Sequence, residues 1–463
     1  MDLIFILDNQ NKEPLYMQIY HFLKEEIKHE RILPGEKLPS KRRLAEQLSV
    51  SQNTVTAAYE QLNAEGYIIS KPRKGTFVQT LKDELHPPSL FKKIDAISIV
   101  QEEIKYDFSH GKVDTASFPF SVWRKLSQES LFQDQSHLFF GGDVQGELQL
   151  RKQIAKYLYQ SRGVRCSPDQ IVIGAGTQYL IRQLSLIFNY GSSVGIEDPG
   201  FHRTRFAFEH SGLQIVPTPL DKHGIRVDQL HGKNLNIVYV TPSHQFPCGM
   251  IMPISRRNEL LSWAQKNNAY IIEDDYDGEF RYKGRPIPSL QGLDSYDRVI
   301  YLGTFSKSLI PSLRMSYMVL PQELLTVYLN KLSIYKQTVS RFHQKTLALF
   351  MTNGHWEAHL NRLRTIYRKK QTKLIKSIQY TMQEKVEIIG ENSGLHVLLR
   401  LRTDIPESWY IKQAANVQIK VYPTSIYRIV TKTKFTEILL GFGGLTEHEI
   451  EEGITLLNKA WFS

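Results

Sequence analysis

The feature that most constrains the fold is a series of short apolar segments in the middle of the chain. They read QIVIGAG, SVGIEDP, NIVYVTP, AYIIEDDY and RVIYLGT, and longer stretches with helical spacing separate them. Strands that are apolar without alternation are buried on both faces, which is typical of a parallel sheet covered by helices. The sequence therefore predicts an α/β domain over residues 106–463. From about residue 380 its shorter strand-like segments predict a small α+β subdomain.

The first 80 residues have a different pattern. PLYMQIYHFLKEEIKHER has the apolar spacing of an amphipathic helix, and Ser40 and Ser51 stand where they would cap two further helices. YIISKPRKGTFVQT then reads as two short strands around a basic turn. This order predicts a winged helix-turn-helix domain over residues 1–80. Residues 81–105 are polar, contain Pro87-Pro88 and are predicted to be a linker.

A winged helix-turn-helix places the start of its third helix in the major groove of DNA. Ser51, Gln52, Asn53 and Thr54 begin that helix and are predicted to face base edges. Phosphate contacts are predicted for the basic residues near the second helix and in the wing, which are Lys41, Arg42, Arg43, Arg73 and Lys74.

The stretch LPSKRRLAEQLSVSQNTVTAAYEQLNAEGYIISKPRKGTFV resembles the DNA-binding domain of GntR-type bacterial regulators from Leu38 to Val78. The resemblance implies double-stranded operator DNA as a partner. Such domains often have arginine directly after the serine that opens the recognition helix, whereas this chain has Gln52. The operator sequence therefore does not follow from the resemblance.

The amino-acid composition limits the class of protein and the cellular compartment to be expected. The hydrophobic fraction is 41%, the charged fraction is 23%, and no apolar run is long enough for a membrane span. Cys166 and Cys248 alone provide neither a disulfide framework nor a four-cysteine zinc site, so we expect a cytoplasmic protein without a bound metal.

The distribution of charge points to one further segment. The net charge is +11, yet residues 1–80 contain 11 Lys+Arg and 10 Asp+Glu. Residues 359–382 hold seven Lys+Arg and no acid, with apolar residues spaced for one buried helix face. The basic residues would then crowd the exposed side, which is either a solvated face or a surface that guides DNA.

Several motifs in the second domain suit a phosphorylated aldehyde cofactor. Lys307 can form a Schiff base, and Asp274 ends an apolar strand where it can hold a protonated pyridine nitrogen. GAGTQ, residues 174–178, follows a strand and opens a helix, which favours phosphate binding. Thr304 and Arg314 can donate to the same phosphate, and Phe201 can stack on a flat ring. Each motif alone is more often an ordinary loop, turn or core feature.

Together and in this order, these motifs resemble the fold-type I aminotransferase site for pyridoxal 5'-phosphate across residues 106–463. The resemblance implies that Lys307 carries the cofactor and that Asp274 pairs with its ring nitrogen. It implies further sites near the ring hydroxyl and the phosphate, at Tyr276, His244, Gln245, Gly176, Thr177, Thr304 and Arg314.

A GntR-type head followed by an aminotransferase-like domain resembles the MocR/GabR subfamily of bacterial regulators. That resemblance implies a transcriptional regulator that senses an amino compound or the cofactor itself, and a head-to-tail homodimer. The alternatives are an active aminotransferase with an accessory DNA-binding head, and a scaffold with a dead cofactor site. FTEILLGFGG lacks the arginine with which aminotransferases bind a substrate carboxylate, which weakens the enzyme hypothesis. Arg203 and Arg428 are the candidates for binding an effector carboxylate instead.

Overall fold

The computed structural model describes residues 7–8, 13–80, 103–132, 137–282, 284, 287–431 and 433–462. The chain divides into two compact units, Met1–Val100 and Gln101–Ser463. Most of the predicted linker, residues 81–102, lies outside the described residues. None of the helices in the described ranges combines the length and the hydropathy that crossing a bilayer requires.

The N-terminal unit has three helices followed by a two-stranded hairpin. These are α1 (Leu15–Lys28), α2 (Lys41–Leu48), α3 (Gln52–Ala64), β1 (Ile68–Lys71) and β2 (Gly75–Val78). Serine caps start the second and third helices, because the Ser40 hydroxyl accepts from the Arg43 amide at 3.2 Å and the Ser51 hydroxyl from the Thr54 amide at 3.1 Å. The two strands pair antiparallel, which gives the predicted wing.

One apolar core holds this unit together. Ile19 and Leu23 of α1 pack with Val55, Tyr59 and Leu62 of α3, and all five side chains are buried. The Tyr59 hydroxyl donates to the carbonyl of Pro39 at 2.9 Å, so the polar end of this buried ring has a partner. The unit therefore has a core of its own.

The second unit alternates strands and helices, as the apolar segments predict. Its helices are α4 (Phe120–Glu129), α5 (Leu148–Arg162), α6 (Thr177–Ile187), α7 (His202–Glu209), α8 (Ile254–Lys266), α9 (Leu290–Leu293), α10 (Gln322–Leu332), α11 (Arg341–Thr352), α12 (His355–Met382), α13 (Glu407–Asn416) and α14 (Glu447–Phe462). Its strands are β3 (Tyr106–Asp107), β4 (Ile171–Gly174), β5 (Ser193–Asp198), β6 (Gln214–Asp221), β7 (Gly224–Ile225), β8 (Ile237–Val240), β9 (Tyr270–Asp275), β10 (Val299–Thr304), β11 (Ser316–Val319), β12 (Val386–Ile389), β13 (His396–Leu401), β14 (Ile419–Lys420), β15 (Tyr422–Pro423) and β16 (Thr436–Gly441).

The large sheet has the strand order β4-β11-β10-β9-β8-β5-β6-β7. Its five central strands, β10, β9, β8, β5 and β6, are parallel, while β11 runs antiparallel to both of its neighbours. Every residue of β4, β8 and β9 is buried, which explains why these segments are apolar without alternation. Parallel strands bring their carboxyl ends to one edge, where ligands bind in sheets of this type.

The C-terminal part forms the predicted smaller subdomain. Its antiparallel sheet has the order β12-β13-β16-β15, and α13, α14 and the second half of α12 pack on it around a second core. Ile438, Leu439 and Leu440 of β16 are fully buried in this subdomain. This strand has apolar core residues and no arginine that could bind a carboxylate.

The basic segment 359–382 forms most of α12, but the expectation that its cations all lie on the exposed side is wrong for Lys370. Lys370 is buried, and its ammonium group contacts a carboxylate oxygen of Asp114 at 2.8 Å and the carbonyl of Gly443 at 3.0 Å. Lys373 is half-buried and pairs with Glu451 of α14 at 2.9 Å. The helix packs against α14 on this side, and the acidic first turns of α14 neutralise part of the charge.

Candidate functional site

A cavity of about 210 Å³ lies at the carboxyl ends of β8, β9 and β10, next to the N-terminus of α6. The side chains that line it come from segments spread between residues 110 and 316. Nine sequence-predicted residues are among them: Gly176, Thr177, Phe201, Arg203, Asp274, Tyr276, Thr304, Lys307 and Arg314.

Asp274 lies near the end of β9 with one carboxylate oxygen unused. Its Oδ2 accepts a 2.5 Å hydrogen bond from the Tyr239 hydroxyl, whereas Oδ1 is buried and has no partner among the described residues. Burial raises the pKa of Asp274 to about 7, and the hydrogen bond from Tyr239 partly opposes this. A buried acceptor of this kind is completed by a ligand that brings a proton and a positive charge, such as a protonated ring nitrogen.

Lys307 lies in the loop after β10, and its ammonium group donates to the carbonyl of His110. Burial lowers the pKa of Lys307 to about 8, while the negative charge of Asp277 partly opposes the shift. An amine with this pKa is unprotonated far more often near neutral pH than a surface lysine. Lys307 therefore has the reactivity that covalent attachment to an aldehyde needs.

The N-terminus of α6 forms a cradle for an anion. Gly176 precedes this helix with φ +97°, and a Cβ at that position would lie 2.5 Å from Nη2 of Arg314. Only glycine allows the Arg314 guanidinium to approach the backbone this closely, and Arg314 donates to the carbonyl of Ala175 at 3.3 Å. The start of α6 at Thr177 and this guanidinium line the same cavity, and the two together suit a phosphate group.

Hydroxyl groups line the cavity near Lys307. Ser316 donates to Thr304 Oγ1 at 2.8 Å, and the amide of Ser306 donates to the same oxygen at 3.2 Å. The Thr304 hydroxyl proton therefore remains available to a ligand. Phe201 packs edge-on against Phe246 with their ring centroids 5.0 Å apart, so both rings belong to one aromatic wall.

Three predicted residues, His244, Gln245 and Arg428, are not among the residues that line the cavity. The amide nitrogen of Gln245 donates to the carbonyls of Pro199 at 3.0 Å and Phe246 at 2.6 Å, so this side chain joins its loop to the segment after β5. Arg428 pairs with the buried Glu437 at 2.6 Å in a separate cleft. The prediction that Gln245 and Arg428 face the ligand does not agree with these contacts.

Sequence reasoning missed Tyr239, His110 and Phe246, which all line the cavity. Tyr239 carries the one polar group in the apolar strand IVYV, and that exception was the available signal. His110 lies near the start of the domain, and the residues around it form no motif that indicates a binding site. Phe246 is the direct neighbour of the predicted Gln245, and it lines the cavity whereas Gln245 does not.

The predicted DNA-contacting residues lie in the N-terminal unit as expected from the helix boundaries. Gln52 and Asn53 are exposed in the first turn of α3. Ser51 and Thr54 also contact each other through their hydroxyl oxygens at 2.8 Å, so part of their hydrogen-bonding capacity is used in the helix cap. Arg42 makes an exposed ion pair with Glu46 at 3.0 Å, which is weak enough to exchange for a phosphate.

The predicted phosphate-contacting residues lie in α2, which precedes α3 in the chain, and in the wing, which follows it. Arg73 has φ +59° in the turn between β1 and β2, and Lys74 follows it; both side chains are exposed. Arg43 is exposed and Lys41 is half-buried at the start of α2. These positions remain predicted phosphate contacts.

Fold and site together define a winged helix-turn-helix DNA-binding domain followed by a domain of the aminotransferase type. Residues 15–78 match the bacterial regulatory proteins of the gntR family, and residues 103–453 match aminotransferase class I and II. The chain belongs to the MocR/GabR subfamily of GntR-type transcriptional regulators.

Similar proteins support both halves of this assignment. The chain is 48% identical over 463 residues to the uncharacterized HTH-type transcriptional regulator YhdI of Bacillus subtilis (strain 168), covering 100% of this chain and 98% of that protein. It is 30% identical over 477 residues to the probable rhizopine catabolism regulatory protein MocR of Rhizobium meliloti, covering 99% and 96%. The crystal structure of Pyrococcus horikoshii kynurenine aminotransferase matches with a TM-score of 0.70 at 26% identity, covering 78% of this chain and 91% of that chain.

Proposed function

We propose that this regulator binds pyridoxal 5'-phosphate covalently at Lys307 and alters its DNA binding when an amino compound enters the same cavity. The observation that carries the proposal is the unpartnered, buried Oδ1 of Asp274 in a cavity that also contains the Lys307 amine. Such a carboxylate costs free energy in an empty site and is compensated by a protonated pyridine ring. The Gly176–Arg314 cradle supplies the donors that the phosphate requires.

The residues of this chain divide the work of holding the cofactor. Asp274 would hold the ring nitrogen, with Tyr239 orienting its carboxylate, and Lys307 would provide the covalent attachment. Arg314 and the first turn of α6 would hold the phosphate, and Phe201 would cover the ring. When bound, the cofactor supplies an electrophilic carbon that can be passed from the lysine to another primary amine.

Arg203 is the better of the two predicted sites for an effector carboxylate. Its exposed side chain borders the cavity, and it has no ion-pair partner among the described residues. Arg428, in contrast, is held by Glu437 at 2.6 Å. An amino acid that reached Lys307 would thus have a cation available for its carboxylate.

We also propose that the second unit forms a homodimer, in the head-to-tail arrangement that the subfamily resemblance implies. Phe139, Phe140 and Ile334 are exposed to 69%, 73% and 80%. Phe140 and the segment 336–342 line one surface depression, and Phe139 packs on Phe342 with ring centroids 5.5 Å apart. Exposed aromatic side chains gathered in this way, here Phe139 and Phe140, mark an interaction surface. Light scattering on the full chain at micromolar concentration should give the dimer mass, and a monomer would contradict this part of the proposal.

An active aminotransferase is the second candidate function, because the site unites the lysine, the aspartate and the phosphate cradle in a fold shared with a kynurenine aminotransferase. The two functions differ in turnover. A regulator responds to an amine with one stoichiometric spectral change, whereas an enzyme continues to convert amino donor and keto acceptor.

The test adds pyridoxal 5'-phosphate to the purified chain and follows visible absorbance, borohydride-stable attachment and operator affinity. We expect attachment at Lys307, followed by a change in operator affinity with at least one member of a panel of ω-amino acids, D-amino acids and small peptides. Pyridoxal 5'-phosphate is itself the remaining effector candidate, so operator affinity is also compared before and after its addition. Absence of attachment, or operator affinity that neither the cofactor nor any amine changes, would contradict the proposal.

A further inference from the structure

A second group of ionisable side chains lies beside the cavity. It includes His244, which the resemblance places near the ring hydroxyl, and Asp277, whose charge acts on Lys307. His244 follows β8 in the loop 241–249, Asp277 follows β9, and His396 begins β13 of the small subdomain. The three residues are exposed to only 1%, 1% and 2%. Buried ionisable groups are costly unless they are paired, so this cluster requires a physical explanation.

The contacts within the cluster are specific. Nδ1 of His244 lies 2.9 Å from Oδ2 and 3.1 Å from Oδ1 of Asp277, so the imidazole donates to the carboxylate. The hydroxyl of Tyr276 lies 3.0 Å from the same Nδ1 and donates to the His244 carbonyl at 3.0 Å. Tyr276 lines the cavity, and His244 therefore holds the position of a hydroxyl group that borders the ligand.

His396 completes the packing from the small subdomain. Its ring centroid lies 4.7 Å from that of His244, and its Nε2 donates to the carbonyl of Pro247 at 3.1 Å. Gly394 makes this approach possible, because a Cβ there would lie 2.2 Å from Nδ1 of His244 and 2.6 Å from Oδ2 of Asp277. The pair is thus enclosed from both sides.

Among the charged groups near Lys307, Asp277 is the one that acts on its protonation. Its carboxylate favours the protonated form of Lys307, in opposition to burial. The pKa of His110 is lowered to about 3 by burial and by the charge of Lys307, and burial also places the pKa of His396 well below its usual value, so both rings are neutral. Arg203 lies on the same cavity wall and is a cation. Asp274 lies in the same cavity but is reserved for the ring nitrogen.

We propose that His244 and Asp277 form a positioning pair, which fixes the Tyr276 hydroxyl in place at the cavity wall and holds a proton on the nitrogen of Lys307. This inference rests on the proposed binding of pyridoxal 5'-phosphate at Lys307. The negative charge of Asp277 stabilises the cationic form of that nitrogen, and His244 keeps the carboxylate oriented by donating to it. A positively charged nitrogen makes the attached carbon more electrophilic, so the pair would govern how readily an effector amine exchanges with Lys307.

The test uses the holo-protein and a pH titration of the visible absorbance of the attached cofactor. Asp277→Asn keeps the shape of the side chain but removes its charge, so the midpoint should move to lower pH by about one unit or more. His244→Asn retains a side-chain N–H near the position of Nδ1 and should leave the midpoint close to that of the wild type. The matched control is Glu273→Gln, which changes another buried carboxylate of the β9 region that is bonded to the amides of Leu290 and Gln291.

The outcomes separate this inference from the proposed function. If the wild type attaches no cofactor, the proposed function is wrong and the inference falls with it. If the wild type titrates and Asp277→Asn has the same midpoint, or Glu273→Gln shifts it equally, the positioning pair is refuted. Should Asp277→Asn fail to fold, Asp277→Ser leaves room for a water beside His244 and carries the same expected shift.

Discussion

The two units of this protein place their candidate binding residues in opposite physical settings. In the N-terminal unit, Ser51, Gln52, Asn53 and Thr54 are consecutive, and the Ser51 cap is enough to begin the helix that presents them. In the second unit, the cavity brings together Gly176, Asp274 and Lys307, which are spread over about a hundred and thirty residues of the chain. The first surface is built locally, whereas the second exists only when the whole sheet has formed.

This difference affects how each region responds to change. Exposed side chains at a helix start act through contacts that water already screens, so each contributes modestly and nearly independently. Buried groups such as Asp274 and Glu197 interact in a medium of low polarity, and burial raises the pKa of each to about 7. Substitutions in the cavity should therefore have larger and more strongly coupled effects than substitutions in the recognition helix.

The largest expected effect is at the covalent position. Lys307→Ala should abolish borohydride-stable cofactor attachment and the visible absorbance, because none of the other described residues that line the cavity is a lysine. Heat unfolding of the N-terminal unit should be unchanged, since that unit has its own core. Mass spectrometry after borohydride reduction gives the measurement, and a retained covalent cofactor would contradict the assignment of Lys307.

A buried carboxylate that awaits its partner should destabilise the cofactor-free protein. The pKa of Asp274 is raised from 3.8 in the unfolded chain to about 7 in the folded one, so its contribution to stability is present at acid pH and is lost as pH rises through 7. Asp274→Asn should therefore gain stability relative to the wild type between pH 5 and 8, by about 1–3 kcal/mol.

Chemical denaturation at several pH values measures this gain. Adding pyridoxal 5'-phosphate should reverse the order of stability, because the ring nitrogen then compensates the wild-type carboxylate. If both proteins have parallel pH profiles without the cofactor, Asp274 is not the unpaired group that the cavity indicates.

The recognition helix should show smaller effects that differ in kind. Asn53→Ala should weaken operator binding by about 1–3 kcal/mol and relax sequence choice, because its side chain is predicted to contact a base edge. Arg42→Ala should weaken operator and random DNA alike and reduce the salt slope by about one, as expected for a lost phosphate contact. Fluorescence anisotropy at several salt concentrations separates the two. Equal losses on operator and random DNA for Asn53→Ala would contradict its placement.

The smallest expected effect is on α12. This single helix has both exposed cations and a buried one, so the two settings can be compared within it. Arg362, Arg368, Lys369 and Lys376 are exposed, whereas Lys370 is paired with Asp114. Changing those four residues together to glutamine should lower affinity for a long, two-site operator and flatten its salt dependence. The same variant on a short half-site duplex serves as the control. Unchanged affinity and salt slope on the long operator would show that the exposed cations form only a solvated face.

Predictions from the sequence were correct for features that depend on neighbouring residues and less accurate for features that depend on contacts between distant residues. The capped helix that Ser51 predicts is present as α3, and its apolar residues Val55, Ala58, Tyr59 and Leu62 are buried. The prediction for Lys370 was wrong because helical spacing cannot show that Asp114, some 250 residues earlier, reaches the same side. A contact with a distant segment also engages Gln245, which donates to Pro199, whereas Arg428 is held by Glu437 from the neighbouring strand β16.

The sequence by itself determined the periodic features of this protein and the order of its motifs. Apolar periodicity and capping residues are patterns between neighbours along the chain, so they indicate the winged helix, the apolar strands and the glycine at the start of α6 without knowledge of any tertiary contact. The order of these motifs was enough to indicate the family. The tertiary structure decided which charged groups are paired and which are left open, because pairing depends on what other segments bring within a few ångströms. Burial then gives those choices their energetic weight: Glu437 neutralises Arg428, whereas Oδ1 of Asp274 remains without a partner among the described residues.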